Sequence, residues 1–142
     1  MKVKIRKATL KDAQKIFKLL NESNNLRGND REYYELQDVK DYINNKLNKI
    51  FVYELDKKIV GVFISQFWKT YVYLYLIAVD SRYQGKGIGK DLFNFLENLT
   101  RKYQRELIEV DTEINNKKMK SLLEGRQYKR GKEFLFYSKS IK

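Results

Sequence analysis

YVYLYLIAVDSRYQGKGIGK, from Tyr71 to Lys90, is the stretch that decides the fold. Its first nine residues, Tyr71 to Val79, form an unbroken apolar run. Such a run reads as a strand, and it is well short of the ~20 residues of a membrane helix. A short polar turn follows, with glycines at alternate positions, Gly85, Gly87 and Gly89, and a helical pattern begins at once. A strand feeding a glycine-rich turn into a helix N-terminus builds an anion site. The turn's N–H groups lack partners, and the aligned peptide dipoles of the helix favour negative charge there. Glycine lets a phosphate approach the backbone closely and allows positive φ. The stretch therefore points to a phosphorylated ligand.

Toward the C-terminus, Ile88, Leu92, Phe95, Leu96, Leu99 and Tyr103 mark the helix that follows the loop. Leu107 to Thr112 reads as a strand, Asn115 to Glu124 as a short helix, and Glu133 to Ser140 as a closing strand. Toward the N-terminus, Ile59 to Trp68 and Lys49 to Leu55 are two strand-like runs joined by a hairpin turn at Asp56-Lys57-Lys58. Only Lys69 and Thr70 separate the second of these runs from Tyr71, so the three strands form an antiparallel meander. A helix is expected over Arg31 to Leu47, with Leu36, Val39, Ile43 and Leu47 on its apolar side, preceded by a polar loop from Asn21 to Asp30. Thr9 and Asp12 form a capping box for a first helix carrying Ala13, Ile16, Phe17 and Leu20 on one face. Lys2 to Ala8 is a half-buried first strand. The order is βααβββαβαβ, a mixed α/β sheet in one domain spanning residues 1–142.

Composition removes several kinds of chemistry. The chain has no Cys and no His, which excludes disulfides, thiolate zinc sites, cysteine nucleophiles and histidine bases. No carboxylate spacing suggests a metal site, and none is expected. Acid–base chemistry must rest on Asp, Glu, Tyr, Lys or water. At 42% hydrophobic residues, with 11 Tyr and 8 Phe, the chain can fill a core and is not a disordered one. The N-terminal MKVKIRKATLKD lacks an apolar leader core, so a cytoplasmic protein is expected. The net charge of +12 attracts polyanions such as nucleic acid or a phosphate-rich cofactor. The lysines are spread along the whole chain, however, and compositional bias is the stronger reading of them.

Three glycine-loop readings compete for the phosphate. A Walker loop needs a hydroxyl after GxxxxGK, but the spacing from Gly85 to Lys90 differs and Asp91 stands in the hydroxyl's place. A dinucleotide fingerprint fits Gly85 and Gly87, with Glu106 or Glu109 as the ribose acid, but Lys90 fills its third glycine position. The third reading is a Q/R-x-x-G-x-G/A loop after an apolar strand ending in Val-Asp, which Gln84-Gly85-Lys86-Gly87-Ile88-Gly89 fits. This resembles the GNAT superfamily of acyl-CoA-dependent N-acetyltransferases. Ile77-Ala78-Val79-Asp80 through Tyr83-Gln84 looks loosely like the ribosomal-protein alanine N-acetyltransferases.

The resemblance implies a GNAT fold whose splayed central sheet binds acyl-CoA, with acetyl-CoA as co-substrate. The pyrophosphate would lie on the N–H groups of Gln84, Gly85, Lys86, Gly87, Ile88 and Gly89, with Lys86, Lys90 and Arg82 adding positive potential. The pantetheine arm would pair with the backbone of Ile77, Ala78 and Val79, and Asn116 would contact the cofactor. The amide of Val79 would polarise the thioester carbonyl. Glu109, in Ile108-Glu109-Val110, matches the strand glutamate that acts as general base, and it shares a strand face with Leu107, Asp111 and Glu113. A solvated surface carboxylate is the other reading of Glu109.

Two departures stand out. Leu123 occupies the position of the tyrosine that usually protonates the leaving thiolate, and Gln127 replaces a glycine. Tyr128 takes over the acid role only if its hydroxyl reaches the sulfur; otherwise it packs the core. Tyr71, Tyr73 and Tyr75 share one strand face, either lining the acceptor pocket or packing under a helix. Glu22, Asp30, Glu32 and Glu35 would attract a cationic acceptor: a protein N-terminus, a lysine, a polyamine or a small amine. The expected protein is an N-acetyltransferase, monomeric or homodimeric, with no membrane association. The alternative is a GNAT-like module that binds acetyl-CoA, or nucleic acid, without catalysis.

Overall fold

In the computed structural model, residues 2–22 and 34–142 are described. Five strands form one sheet in the order β1-β2-β3-β4-β5: Val3–Lys7, Asn48–Leu55, Lys58–Phe67, Tyr71–Val79 and Leu107–Val110. The first three pairings are antiparallel, and β4 with β5 is parallel. The β2–β3 hairpin closes through Asp56 and Lys57, both at positive φ (49° and 70°), the handedness that matches strand twist in a two-residue loop.

Helices cover both faces. α1 (Ala13–Glu22) and α2 (Leu36–Asn44) lie on one side, where Ile16, Leu20 and Val39 meet Ile50, Val52, Val62 and Ala78. α3 (Ile88–Lys102) and α4 (Lys117–Gly125) lie on the other, where Leu92, Phe93, Leu96, Met119 and Leu123 meet Phe63, Leu74, Ile77 and Val79. The expected capping box is present: the Asp12 carboxylate accepts from the Thr9 amide at 2.8 Å. Asp12 is also gripped by both terminal nitrogens of Arg6, which ties the helix start to β1.

The second helix starts at Leu36 rather than Arg31, because Glu35 caps it with Asp38 returning the bond to the Glu35 amide. The part of this expectation over residues 31–33, and most of the Asn21–Asp30 loop with Asp30 and Glu32, lie outside the described residues. The closing strand at Glu133–Ser140 does not form. The described sheet ends at β5, and residues 133–140 all lie exposed outside it. The helices and the other strands follow the expected order.

Candidate functional site

β4 makes the site by leaving its neighbour. It pairs with β5 only from Tyr71↔Leu107 to Leu74↔Val110, and then runs on to Val79 beyond the end of β5. A β-bulge sits at the same point: Ile64 faces Leu76 and Ser65 faces Leu74, so Tyr75 is the extra residue. The bulge inverts the alternation. Val72 and Leu74 point to the α3/α4 core, and so do Ile77 and Val79, while Leu76 and Ala78 point to the α1/α2 core. The Asp80 amide donates to the Val60 carbonyl at 2.8 Å. In an antiparallel ladder bonded and non-bonded pairs alternate, so Ile77 and Val79 turn their backbone groups away from β3, toward the fork left by β5.

The loop after β4 has a built-in shape. Asp80 accepts from the Arg82 amide at 2.9 Å and from its guanidinium at 2.8 Å, and these Arg82 hydrogen bonds hold the Asp80 carboxyl below its ordinary range. Arg82 is thus engaged with Asp80. Gly85 and Gly87 adopt φ of 76° and 82°, and a Cβ at either position would have nothing within 4 Å, so backbone conformation alone demands glycine there. Gly89 is different: it lies inside α3 with ordinary φ, and an added Cβ would merely touch Val79 at 4.0 Å. Among the described residues, no backbone carbonyl accepts from the amides of residues 85–90, and they stand at the N-terminus of α3. Lys86 lies 5.4 Å from the Tyr83 ring, and both Lys86 and Lys90 are exposed.

Gln84 does more than the motif suggested. Its side chain donates to the Val79 carbonyl at 3.3 Å and accepts from Lys118 Nζ at 2.9 Å, joining strand, loop and α4. Tyr53 on β2 likewise donates to Asp91 at 3.1 Å and fixes the first turn of α3. Neither long-range pairing leaves a signal in the local sequence. Asn116 caps α4 through Oδ1, which accepts from the Met119 amide at 3.1 Å. Its buried Nδ2 has no hydrogen-bond partner among the described residues. A groove of about 400 Å³ opens beside the loop's start, lined by Lys18, Leu19, Glu22, Asp80, Ser81 and Arg82.

On the α2 side, the mouth of the fork is aromatic and acidic. Tyr73 stands opposite Glu109, and its hydroxyl donates to Asp111 at 3.0 Å. Tyr75 shares a hydrogen bond with Tyr42 of α2 at 3.1 Å, and the Tyr73 and Tyr75 rings meet edge to face at 6.3 Å. Burial first, and then the Tyr75 bond, push the Tyr42 hydroxyl well above its ordinary range, so it stays neutral. Glu109 is exposed on this wall. Face alternation groups Tyr73 with Tyr71 and Tyr75, and Glu109 with Asp111, but which of them meet, and that Tyr42 of α2 joins them, is set by the fold.

Distance separates two expected roles. Val79 lies six residues along β4 from the position facing Glu109, roughly 20 Å at ~3.3 Å per residue, whereas Ile77 lies roughly 13 Å away. On the other face Leu123 is buried in the core. The Tyr128 hydroxyl donates to Glu97 of α3 at 2.9 Å, and burial, then that bond, raise it far above its ordinary range. Tyr128 is half-buried and packs against the core at Phe93.

A profile of the acetyltransferase (GNAT) family matches residues 13–126. No curated protein matches in a comparison of sequences. Among solved structures, a possible acetyltransferase from Clostridium difficile 630 is similar with a TM-score of 0.79 at 18% identity, covering 99% of each chain. The aminoglycoside-acetylating AAC(6')-Iy, solved with a CoA-linked bisubstrate analogue, has a TM-score of 0.79 at 15% identity, covering 99% of this chain and 100% of that one. The ribosomal-protein-S18-alanine N-acetyltransferase from Escherichia coli has a TM-score of 0.78 at 17% identity, covering 88% and 76%. At these identities the likeness is one of fold.

Proposed function

Since the chain belongs to the acetyltransferase (GNAT) family, we propose that it moves an acetyl group from acetyl-CoA to a primary amine on a cationic acceptor. The observation that carries this reading is the fork past Leu74 and Val110, with the amides of residues 85–90, which have no acceptor among the described residues, at its end, and the orphaned Asn116 Nδ2 at the start of α4, whose Lys118 reaches Gln84 of the loop. Bound acetyl-CoA supplies an acyl thioester that a neutral amine attacks directly. The residues present fit such a ligand. The amides of Gly85 to Lys90 would hold the pyrophosphate, with Lys86 and Lys90 adding potential, whereas the expected Gln84 amide donates to the Ser81 carbonyl instead. The outward backbone of Ile77 and Val79, spaced by Ala78, would receive the pantetheine amides as an added strand would. Asn116 Nδ2 would donate to the same ligand.

The catalytic work that remains is orientation, removal of the amine's proton and stabilisation of the oxyanion. Glu109 is the proposed base. Of the outward amides, that of Ile77 serves the acyl oxygen better than that of Val79, because it lies nearer Glu109 along the strand. Tyr73, Tyr75 and Asp111 form the wall that a cationic amine would meet; aromatic faces and carboxylates both attract such a group. Two of the similar structures are N-acetyltransferases of aminoglycosides and of a ribosomal-protein alanine. With Leu123 in the core, protonation of the thiolate falls to water.

The test is a binding titration with acetyl-CoA, followed by thiol release against peptides, polyamines and aminoglycosides. Binding with release on at least one cationic amine is expected. Glu109→Gln should then lower turnover at least about a hundredfold and leave acetyl-CoA affinity unchanged. Wild-type turnover in that variant would remove Glu109 from the mechanism. Tight binding without release on any amine would mean a non-catalytic acetyl-CoA module.

A further inference from the structure

One line of paired residues crosses the sheet from β2 to β5. Asn48 stands opposite Gln66, Gln66 opposite Tyr73, and Tyr73 opposite Glu109. Side chains paired across strands point to the same face. Asn48 and Gln66 share theirs with Ile50 and Ile64, which meet α1 and α2. Tyr73 and Glu109 agree, since Val72, Leu74, Ile108 and Val110 turn to the α3/α4 core. The next line inward, Ile50, Ile64 and Leu76, is apolar and buried. A polar stripe therefore borders a dry face and runs from the proposed base toward the end of α2.

The stripe is not satisfied from within. Asn48 is 8% exposed, and its Nδ2 donates to the Tyr42 carbonyl at 2.9 Å. A carbonyl only accepts, so this bond fixes which way the amide is turned. Oδ1 is left as a buried acceptor with no partner among the described residues, a state that costs stability. Gln66 beside it is half-buried and makes no side-chain hydrogen bond among the described residues. Aromatic rings lie alongside: Tyr42 meets Tyr75 at 5.5 Å, and Tyr75 meets Tyr73 at 6.3 Å. The hydroxyls of Tyr42 and Tyr75 bond each other, and that of Tyr73 donates to Asp111. What remains is mostly acceptor: the carboxylates of Glu109 and Asp111, Asn48 Oδ1 and Gln66 Oε1. Such a stripe suits a ligand rich in N–H donors with apolar links between them.

We propose that this stripe is an acceptor subsite for a linear polyamine. One amine lies at Glu109, a second at Gln66 and Asn48 Oδ1, and the methylenes between them rest on Tyr73. Gln66 is two strands from Glu109, roughly 10 Å at ~4.8 Å per strand. That is the reach of a triamine and exceeds that of a four-carbon diamine. The ring faces favour the ammonium groups as well. The role of Glu109 rests on the acetyl-transfer reading; binding of a polyamine along the stripe does not.

Calorimetry with spermidine, putrescine and propylamine measures the subsite without turnover, and thiol release with the same amines measures it in the reaction. Affinity and kcat/KM should fall in that order, with spermidine ahead of propylamine by at least about tenfold, the worth of one hydrogen bond to a charged group. Gln66→Leu should remove this advantage through KM rather than kcat. Gln66→Glu keeps an acceptor, adds a charge and should restore it. Three results would overturn the proposal: equal binding of the three amines, a Gln66→Leu variant that keeps the advantage or weakens all three alike, or an amino sugar or peptide bound in preference to spermidine. Binding in the expected order with no thiol release from any amine would uphold the subsite and overturn acetyl transfer alone.

Discussion

Asp12 is the residue whose chemistry is most constrained. Arg6 hydrogen-bonds its carboxylate, and against the opposing effect of burial this, with the Thr9 amide, lowers its pKa from 3.8 to about 2. The proton therefore binds the unfolded chain more readily. The stability Asp12 contributes is complete above pH ~4 and is lost as pH falls through ~2, on the order of 1–2 kcal/mol. Urea unfolding between pH 5 and 2 should show this slope in the wild type and its loss in Asp12→Asn. The motif Thr9-x-x-Asp12 was legible in sequence, but Arg6 was not, since it is brought in by β1. Asn116 divides in the same way. Its cap role follows from its place before a helix, while the orphaned Nδ2 is visible only in the fold. Asn116→Asp keeps a capping oxygen and removes the donor. It should leave the melting temperature nearly unchanged and weaken acetyl-CoA binding about tenfold by calorimetry, the value of one hydrogen bond to a charged or polar ligand group.

At the scale of elements, α3 and β4 carry the site, and one glycine on β3 sets how closely α3 approaches the sheet. A Cβ on Gly61 of β3 would lie 3.1 Å from Ile88 Cγ2, 3.1 Å from Leu92 Cδ1 and 3.3 Å from Tyr53 Cβ. All three belong to the packed core, so none can withdraw easily. Gly61→Ala should destabilise the protein by about 1–3 kcal/mol in chemical unfolding. It should also weaken acetyl-CoA binding, since Ile88 is the first residue of the helix whose N-terminus the loop presents. The loop glycines were conspicuous in the sequence, but Gly61, within the strand run KIVGVFISQF, carried no signal. The bulge at Tyr75 was equally silent. An apolar run with period two looks the same whether or not one residue is extra, because the residues after the bulge are apolar on both faces.

For the whole molecule, what matters is how the sheet ends. Four carboxylates along residues 106–113 sit beside a sheet edge that is unpaired among the described residues, in a chain of net charge +12. The sequence by itself determined the order of elements, the hairpin, the glycine loop and the kind of ligand it suits. Those features rest on contacts within a few residues, on period and on backbone conformation. Only the tertiary structure decided where β4 leaves β5, which outward amides line the fork and which tyrosines meet Glu109 and Asp111. It alone also showed that Tyr128 belongs to Glu97 and that the apolar tail lies off its own sheet. Each of those depends on partners about 30 or more residues apart, or on where pairing stops, and local pattern holds no record of either.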